Sequence, residues 1–407
     1  MRVVVNRLSV LGQKTGIGHY TAQLLRCFRE QAEPGEIEEY PRGWVWQARR
    51  MQAWLFPDLK RSSKLQSVTK PTAPRPTQGL AHPIAGQLRG AAHALIVRHF
   101  QRACRARGID LYHEPNFIPI PTDLPTVVTL HDLSALVHPE WHSAERVAYY
   151  ERHFRRGLKQ CNHFLTLSEF GRQEVIRTLG IRPERVTAIH IGIRPNLKRL
   201  PQEQVAVVLQ RLKLPPRYLL YVGTIEPRKN LLMLLRAYCD LPEAVRAKWP
   251  LLLVGGWGWN STDVADYLHR EARHRGVVHI GYVAEEHLAA IYNGARALLY
   301  PSFYEGFGLP PVEMMACGGA VLASTAGAVA EVVGGRACLI DPNDLAGWRD
   351  AMARVAEDDQ WREWLRESVV DVARRYTWER AASQTLQVYR FLTRKEAGQT
   401  SRPGIAA

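Results

Sequence analysis

Residues 300–319 read YPSFYEGFGLPPVEMMACGG, and the way this stretch divides decides how the rest of the chain is read. Two carboxylates, Glu305 and Glu313, flank Gly306, Gly308, Pro310 and Pro311. One continuous helix does not suit that composition. Residues 297–300 (ALLY) form an apolar strand-like run, and Pro301 cannot extend a central ladder. The residues from Glu305 to Gly308 are therefore predicted to be a loop beyond a strand end. Pro310 and Pro311 suit a first helical turn, where a missing N–H costs little. That reading places Glu313 in the first turn and ends the helix at Gly318-Gly319. Glycines in the loop let backbone amides approach a ligand, and a helix N-terminus favours an anion. Amides for a phosphate or sugar and two acceptors for hydroxyl groups are what such a segment offers. A solvated loop acid at Glu305, and helix charge compensation alone at Glu313, are the simpler readings.

The same strand, loop and helix alternation extends outward in both directions. Strands are predicted at residues 2–6, 111–113, 126–130, 164–167 and 186–191, then at 218–222, 251–254, 277–280 and 297–300. Helices fit at 20–28, 88–107, 143–160, 168–179 and 230–239. Residues 314–330 read as a helix, a turn and a strand start. A loop at 60–87 and an interdomain connection at 195–216 separate these runs. Two successive sets of alternating β and α elements predict an α/β chain of two doubly wound Rossmann-like domains facing across a cleft. The boundaries are 1–200 for the N-terminal domain and 217–378 for the C-terminal domain. A last helix over 379–395, with Thr377 as N-cap, is expected to pack back on the first domain, and 396–407 to be a disordered tail.

Strand ends in such a fold carry the chemistry. After strand 218–222 comes Gly223-Thr224-Ile225-Glu226-Pro227-Arg228-Lys229, where adjacent Arg and Lys suit a diphosphate. After strand 126–130 comes His131-Asp132, one able to donate to a hydroxyl and the other to accept from one. A turn-capping Asp132 and an ordinary loop histidine are the simpler account. Gly16-Ile17-Gly18 follows the first strand in a loop, but it lacks the third glycine of the dinucleotide fingerprint, since Gln23 stands in that position.

The chain carries a formal charge of +15, concentrated in one place. Residues 42–107, from Arg42 to Arg107, hold ten Arg, three Lys and one acid, Asp58, together with Trp44, Trp46, Trp54, Leu55 and Phe56. Basic plus aromatic composition suits an anionic membrane surface, and nucleic acid less well. A solvated basic face beside ordinary core aromatics is the alternative. The N-terminus does not read as a signal peptide, and no run of about 18 apolar residues predicts a spanning helix. Six cysteines are scattered without a CxxC pair or zinc spacing, as expected of buried thiols in a reducing cytoplasm.

Taken together, these blocks resemble the retaining glycosyltransferases of family 4, which have the GT-B fold. The resemblance runs over nearly the whole chain. It rests most on the Glu-x7-Glu motif from Glu305 to Glu313, and then on GTIEPRKN (223–230), TLHDLSALVHPEWHS (129–143), TGIGHYTAQLL (15–25) and LTLSEFGRQEV (165–175). It implies that Arg228 and Lys229, beside Gly223, hold the donor diphosphate and the leaving-group charge. Glu313 would bind the ribose hydroxyls. Glu305 and Gly306, with the amides of Phe307, Gly308 and Leu309, would hold the transferred sugar. Gly16 and Gly18 would bring amides to the phosphate, His131 would contact the sugar near the reacting carbon with Asp132 beside it, and Tyr282-Val283 would line the nucleobase pocket. The family's chemistry keeps the anomeric configuration and needs no bound metal. No Asp-x-Asp precedes a strand end here. The blocks around His131 and Thr224 look most like mannosyl- and rhamnosyl-type transferases of bacterial surface polysaccharides. They imply GDP-mannose as donor, with a UDP-sugar as the alternative, and no tightly bound cofactor. The acceptor would be a glycan or lipid-linked hydroxyl. Residues 42–107 have no counterpart in the family pattern, and they fit a cytoplasmic enzyme held peripherally at the inner membrane face, with no nucleic acid partner. A nucleotide-sugar epimerase of the same fold, and a membrane- or nucleic-acid-binding protein with a vestigial nucleotide site, are the competing readings.

Overall fold

The computed structural model describes residues 1–10, 16–42, 83–367 and 369–396. Most of the basic and aromatic segment 42–107, including Trp44, Trp46, Trp54, Leu55, Phe56 and Asp58, lies outside the described residues, as does the tail 397–407. No described helix is long and apolar enough to cross a membrane.

Twelve described strands form two parallel six-stranded sheets. The first contains β1 (Val3–Asn6), β2 (Ile37–Tyr40), β3 (Leu111–Glu114), β4 (Thr126–Leu130), β5 (Cys161–Thr166) and β6 (Val186–Ala188), in the order β2-β1-β3-β4-β5-β6. The second contains β7 (Tyr218–Val222), β8 (Leu251–Val254), β9 (Val277–Gly281), β10 (Ala295–Tyr300), β11 (Ala320–Ser324) and β12 (Cys338–Ile340), in the order β12-β11-β10-β7-β8-β9. Helices link successive strands except β3 and β4, which a loop joins, and both sheets are doubly wound, as the alternation predicts. By contacts the chain falls into two compact units, one of residues 1–130, 149–165 and 382–407, the other of residues 131–148 and 166–381.

Central strands are covered on both faces, and their sequences are accordingly mostly apolar. Leu251–Val254 and Ala295–Tyr300 are buried at every position. Beneath the second sheet, Leu219, Leu253, Leu299 and Leu322 pack with Leu234, Trp348 and Met352 from its helices. Each fully buried large aliphatic contributes about 1.5–3 kcal/mol. In the first unit Val4, Phe100 and Tyr112 form part of a smaller cluster with Tyr40.

Three sequence expectations need correction. The helix expected from residue 20 begins at Gly16, so Gly16 and Gly18 lie in the first turn of Gly16–Gln31 and not in a loop. The apolar spacing of Tyr20, Leu24 and Phe28 continues back to Ile17, whose carbonyl accepts from Thr21 Oγ1 at 3.0 Å. The helix expected from residue 88 starts at Pro83, a residue suited to that first position. Residues 195–216 are not a plain connection. They contain the helix Gln202–Arg211, anchored by buried Val205 and Leu209 one turn apart. Thr377 does cap the last helix, Trp378–Glu396, its Oγ1 accepting from Arg380 N at 3.1 Å. Five of the six cysteines are buried and all are free thiols.

Candidate active site

The second sheet changes winding direction between β7 and β10, which lie side by side. From β7 the chain builds outward through β8 to β9; from β10 it builds the other way through β11 to β12. Ligands of open parallel sheets bind beyond the carboxyl ends at such a point. The two segments leaving the sheet there are 223–230 and 301–309. Asn230 fastens them together, its Nδ2 donating to the carbonyls of Pro301 at 3.2 Å and Pro342 at 2.7 Å. Phe303 N donates to the Arg228 carbonyl at 2.8 Å.

Glu305 is not a solvated loop acid. It is 5% exposed, and its carboxylate gathers three side chains. Oε1 accepts from Lys229 Nζ at 2.5 Å and Tyr300 Oη at 2.7 Å, and Oε2 accepts from Arg228 Nη1 at 2.8 Å. Arg228 also donates Nη1 to the Tyr304 carbonyl at 3.1 Å, and its Nε lies 2.6 Å from Glu226 Oε1. Burial alone would raise the Glu305 carboxyl, but the charges of Arg228 and Lys229 outweigh it and hold the group at about 2. Burial, together with the adjacent Arg228 charge, pushes the Lys229 ammonium down. Two cations and two carboxylates are thus packed where each depends on the others. Nη2 of Arg228 has no hydrogen-bond partner among the described residues, so one arm of its fork is available.

The loop then turns into the helix Leu309–Ala316. Gly308 adopts φ 95°, a left-handed conformation that side chains resist. The amides of Phe307, Gly308 and Leu309 have no acceptor among the described residues, and Pro310 and Pro311 have no N–H at all. Glycine at 306 answers a different demand: a Cβ there would sit 1.8 Å from the His131 carbonyl oxygen. Ser168 Oγ holds the Gly306 carbonyl at 2.8 Å. Gly306→Ala should push the two backbones apart and lower turnover by about tenfold or more, because small displacements of reacting groups are costly. Initial rates alongside melting temperature test this, and an unchanged rate would remove the close approach from the argument.

His131 and Asp132 belong to the same unit as this loop. Asp132 caps a turn, its Oδ1 accepting from Ser134 N at 3.0 Å and Ser134 Oγ at 2.7 Å. Burial would raise its carboxyl, but Arg228 and the Ser134 hydrogen bonds hold it below the usual range. Ser134 Oγ lies 3.0 Å from His142 Nε2, so the polar chain continues to a buried imidazole. Burial and Arg146 push that imidazole down to about 4. Leu133 N donates to Tyr304 Oη at 3.0 Å, fixing the His131 segment to the β10 loop.

Glu313 lies not in the first helical turn but at the fifth residue of its helix, whose first turn holds no acid. It therefore does not serve as N-terminal charge compensation. It is 2% exposed, bonded to Arg194 Nη1 through Oε1 and to Tyr292 Oη at 2.8 Å through Oε2. Tyr282 and Val283 follow β9, with Tyr282 exposed. Gly223, the first residue after β7, donates its N–H to the Val254 carbonyl at 2.9 Å. His131, Asp132, Gly223, Arg228, Lys229, Glu305 and the 306–309 backbone thus share one unit with Glu313, Tyr282 and Val283, whereas Gly16 and Gly18 belong to the other. Glu226, Tyr300, Tyr304, Arg194 and Tyr292 were not singled out from sequence. Glu226 stood inside the quoted 223–230 block, and Tyr300 ended its strand. Arg194 and Tyr292 reach Glu313 only through tertiary structure, Arg194 from 119 positions away.

Residues 209–371 match the family described as glycosyl transferases group 1, and residues 47–197 match glycosyltransferase family 4, so the family match extends over most of the segment 42–107, contrary to the sequence expectation. The chain is 37% identical over 285 residues to O-antigen chain mannosyltransferase B of Escherichia coli, covering 69% of this chain and 74% of that protein. It is 26% identical over 299 residues to the serotype-specific mannosyltransferase WbdA of Escherichia coli, covering 69% of this chain but only 36% of that longer protein. Among solved structures, sucrose-phosphate synthase (tll1590) from Thermosynechococcus elongatus superposes with a TM-score of 0.69 at 19% identity, over 97% of this chain and 100% of that one, a likeness of fold. The two doubly wound sheets therefore form a GT-B fold, and the chain belongs to the group 1, family 4 glycosyltransferases.

Proposed function

We propose that this enzyme moves a hexose, mannose in the favoured case, from a nucleoside diphosphate sugar to a hydroxyl of a glycan or lipid-linked acceptor, with retention of anomeric configuration. The observation that carries the reading is the buried Arg228–Lys229–Glu305 group at the β7/β10 switch point, beside three amides without acceptors. A departing diphosphate needs preorganised positive charge in a place sheltered from water. Arg228 offers the free arm of its fork, Lys229 a point charge, and residues 307–309 their N–H groups. Among the described residues Glu305 Oε2 accepts from Arg228 alone, which leaves a lone pair for a hydroxyl of the transferred sugar. His131 and Asp132 flank the reacting carbon in this scheme, and the donor phosphate takes the acceptor's proton. Glu313 meets the ribose, and Gly16 and Gly18 contribute amides from the N-terminal domain.

The mannosyltransferase relative favours GDP-mannose as donor. The leaving charge is met by side chains and amides, so transfer proceeds without a metal. Residues 1–200 form the acceptor side and 217–378 the donor side. The basic segment 42–107 holds the enzyme against the anionic inner face of the membrane, on the cytoplasmic side. Thermal melting with GDP, UDP, ADP and their sugar conjugates, with and without EDTA, tests the donor assignment. A ligand at 100 times its Kd adds about 2.7 kcal/mol. The expected result is a clear upward shift with GDP and GDP-mannose that EDTA leaves intact. No shift with any nucleotide would overturn the site, and loss of the shift in EDTA would overturn metal independence.

A further inference from the structure

We infer that Arg194 and Glu285, with the exposed ring of Tyr282, form the reader of the donor's nucleobase and select guanine; this rests on the donor site proposed above. Arg194 lies in the segment between β6 and the helix Gln202–Arg211, outside the sequence motifs quoted above. Its Nη1 is bonded to the buried Glu313 carboxylate. Its Nε is buried without a hydrogen-bond partner among the described residues and faces Glu285 Oε1 at 3.6 Å, too far for a hydrogen bond. No partner of Nη2 is found among the described residues. The guanidinium therefore holds one anchor and keeps donors in reserve. Glu285 opens the helix Glu285–Gly294, three residues after Tyr282, and its carboxylate is 43% exposed on the side chain. Tyr282 is 61% exposed, a large ring with little to cover it.

This set is complementary to one base more than to the others. A planar ring offers every base a stacking face and so does not discriminate. The hydrogen-bonding edges do. Guanine presents O6 and N7 as adjacent acceptors, which match an arginine fork, and N1–H and N2–H as adjacent donors, which match a carboxylate. Uracil offers a carboxylate one N–H only. Adenine turns a bare N1 lone pair toward the carboxylate and has no O6 for the arginine. Glu313 fixes Arg194 from behind, so the ribose site and the base reader share one cation.

The test is the Kd of GDP, UDP and ADP for the full chain and for Arg194→Ala and Glu285→Gln, by calorimetry. The native protein is expected to prefer GDP over UDP and ADP by about tenfold or more, the worth of one bidentate pair. Glu285→Gln should lose most of that preference while leaving UDP binding nearly unchanged. Arg194→Ala also frees Glu313, so its UDP affinity gauges any damage to the ribose contact. Equal GDP preference in Glu285→Gln and the native protein would overturn the inference, as would a native preference for UDP or ADP. Absence of all nucleotide binding would instead overturn the donor site itself.

Discussion

Replacing Arg228 or Lys229 by alanine is expected to lower kcat about 100-fold or more, the loss found when a preorganised donor to developing charge is removed. Both side chains are held before any substrate arrives, Arg228 by Glu226, Glu305 and the Tyr304 carbonyl, Lys229 by Glu305 and Tyr300. They need no reorganisation as the glycosidic bond breaks. Arg228→Lys should recover little, because a point charge cannot replace a fork that is bonded at Nη1, ion-paired at Nε and proposed to reach phosphate with its other arm. The alanine variants also leave buried carboxylates without a counter-charge, so kcat must be read at saturating donor on protein shown to be folded by its melting temperature. Full turnover in both folded alanine variants would remove the leaving-group role.

Glu305 is expected to have the largest effect on stability. Glu305→Ala leaves Lys229 buried beside Arg228 with only the Tyr300 hydroxyl and no carboxylate bonded to it, and breaking such a buried pair costs about 3–5 kcal/mol. The direction with pH follows from the carboxyl itself. Its value falls from 4.5 to about 2 on folding. The stabilisation is complete above pH 4.5 and is lost as pH falls toward about 2. A shift of that size corresponds to about 3 kcal/mol. Denaturant midpoints of native protein and Glu305→Gln should therefore differ most near neutrality and converge on acidification. A difference that stays constant between pH 7 and pH 3 would show that folding does not shift the Glu305 carboxyl.

What could be read from sequence follows from burial. Strands Tyr218–Val222 and Leu251–Val254 were legible because both faces are covered and their residues are uniformly apolar. Strand β2, Ile37-Glu38-Glu39-Tyr40, sits at a sheet edge with its acids partly solvated, Glu39 pairing with Arg29 at 2.6 Å, and it carries no apolar run. Strand β12, Cys338-Leu339-Ile340 at the other sheet's edge, was missed for a different reason: three apolar residues are too short a run to mark a strand. The candidate site was legible where polar side chains follow a central strand, as with Arg228, Lys229, His131 and Glu305. Arg194 and Tyr292 carry no such mark, since nothing local says that a loop arginine and a helical tyrosine meet one buried glutamate. Glu313 itself was placed a turn too early, because its spacing from the prolines fixes a helix but not what its carboxylate touches.

The buried charges have a consequence for how the chain finds its strand order. Arg228 and Glu305 are 77 positions apart, and they meet only when β7 lies beside β10 with Leu220 opposite Leu298. The strands alone are poor labels: LLYV, LLLV and ALLY are near-equivalent apolar strips that could exchange neighbours with little loss. The loops that follow them are not interchangeable. A slip of one residue moves a strand end by about 3.3 Å and turns its side chains to the other face. Lys229 and Glu305 would then be stripped of water with nothing to replace it. The charges proposed to meet a diphosphate thus also bear on strand order, because any other pairing at the centre of the sheet leaves them buried without their partners.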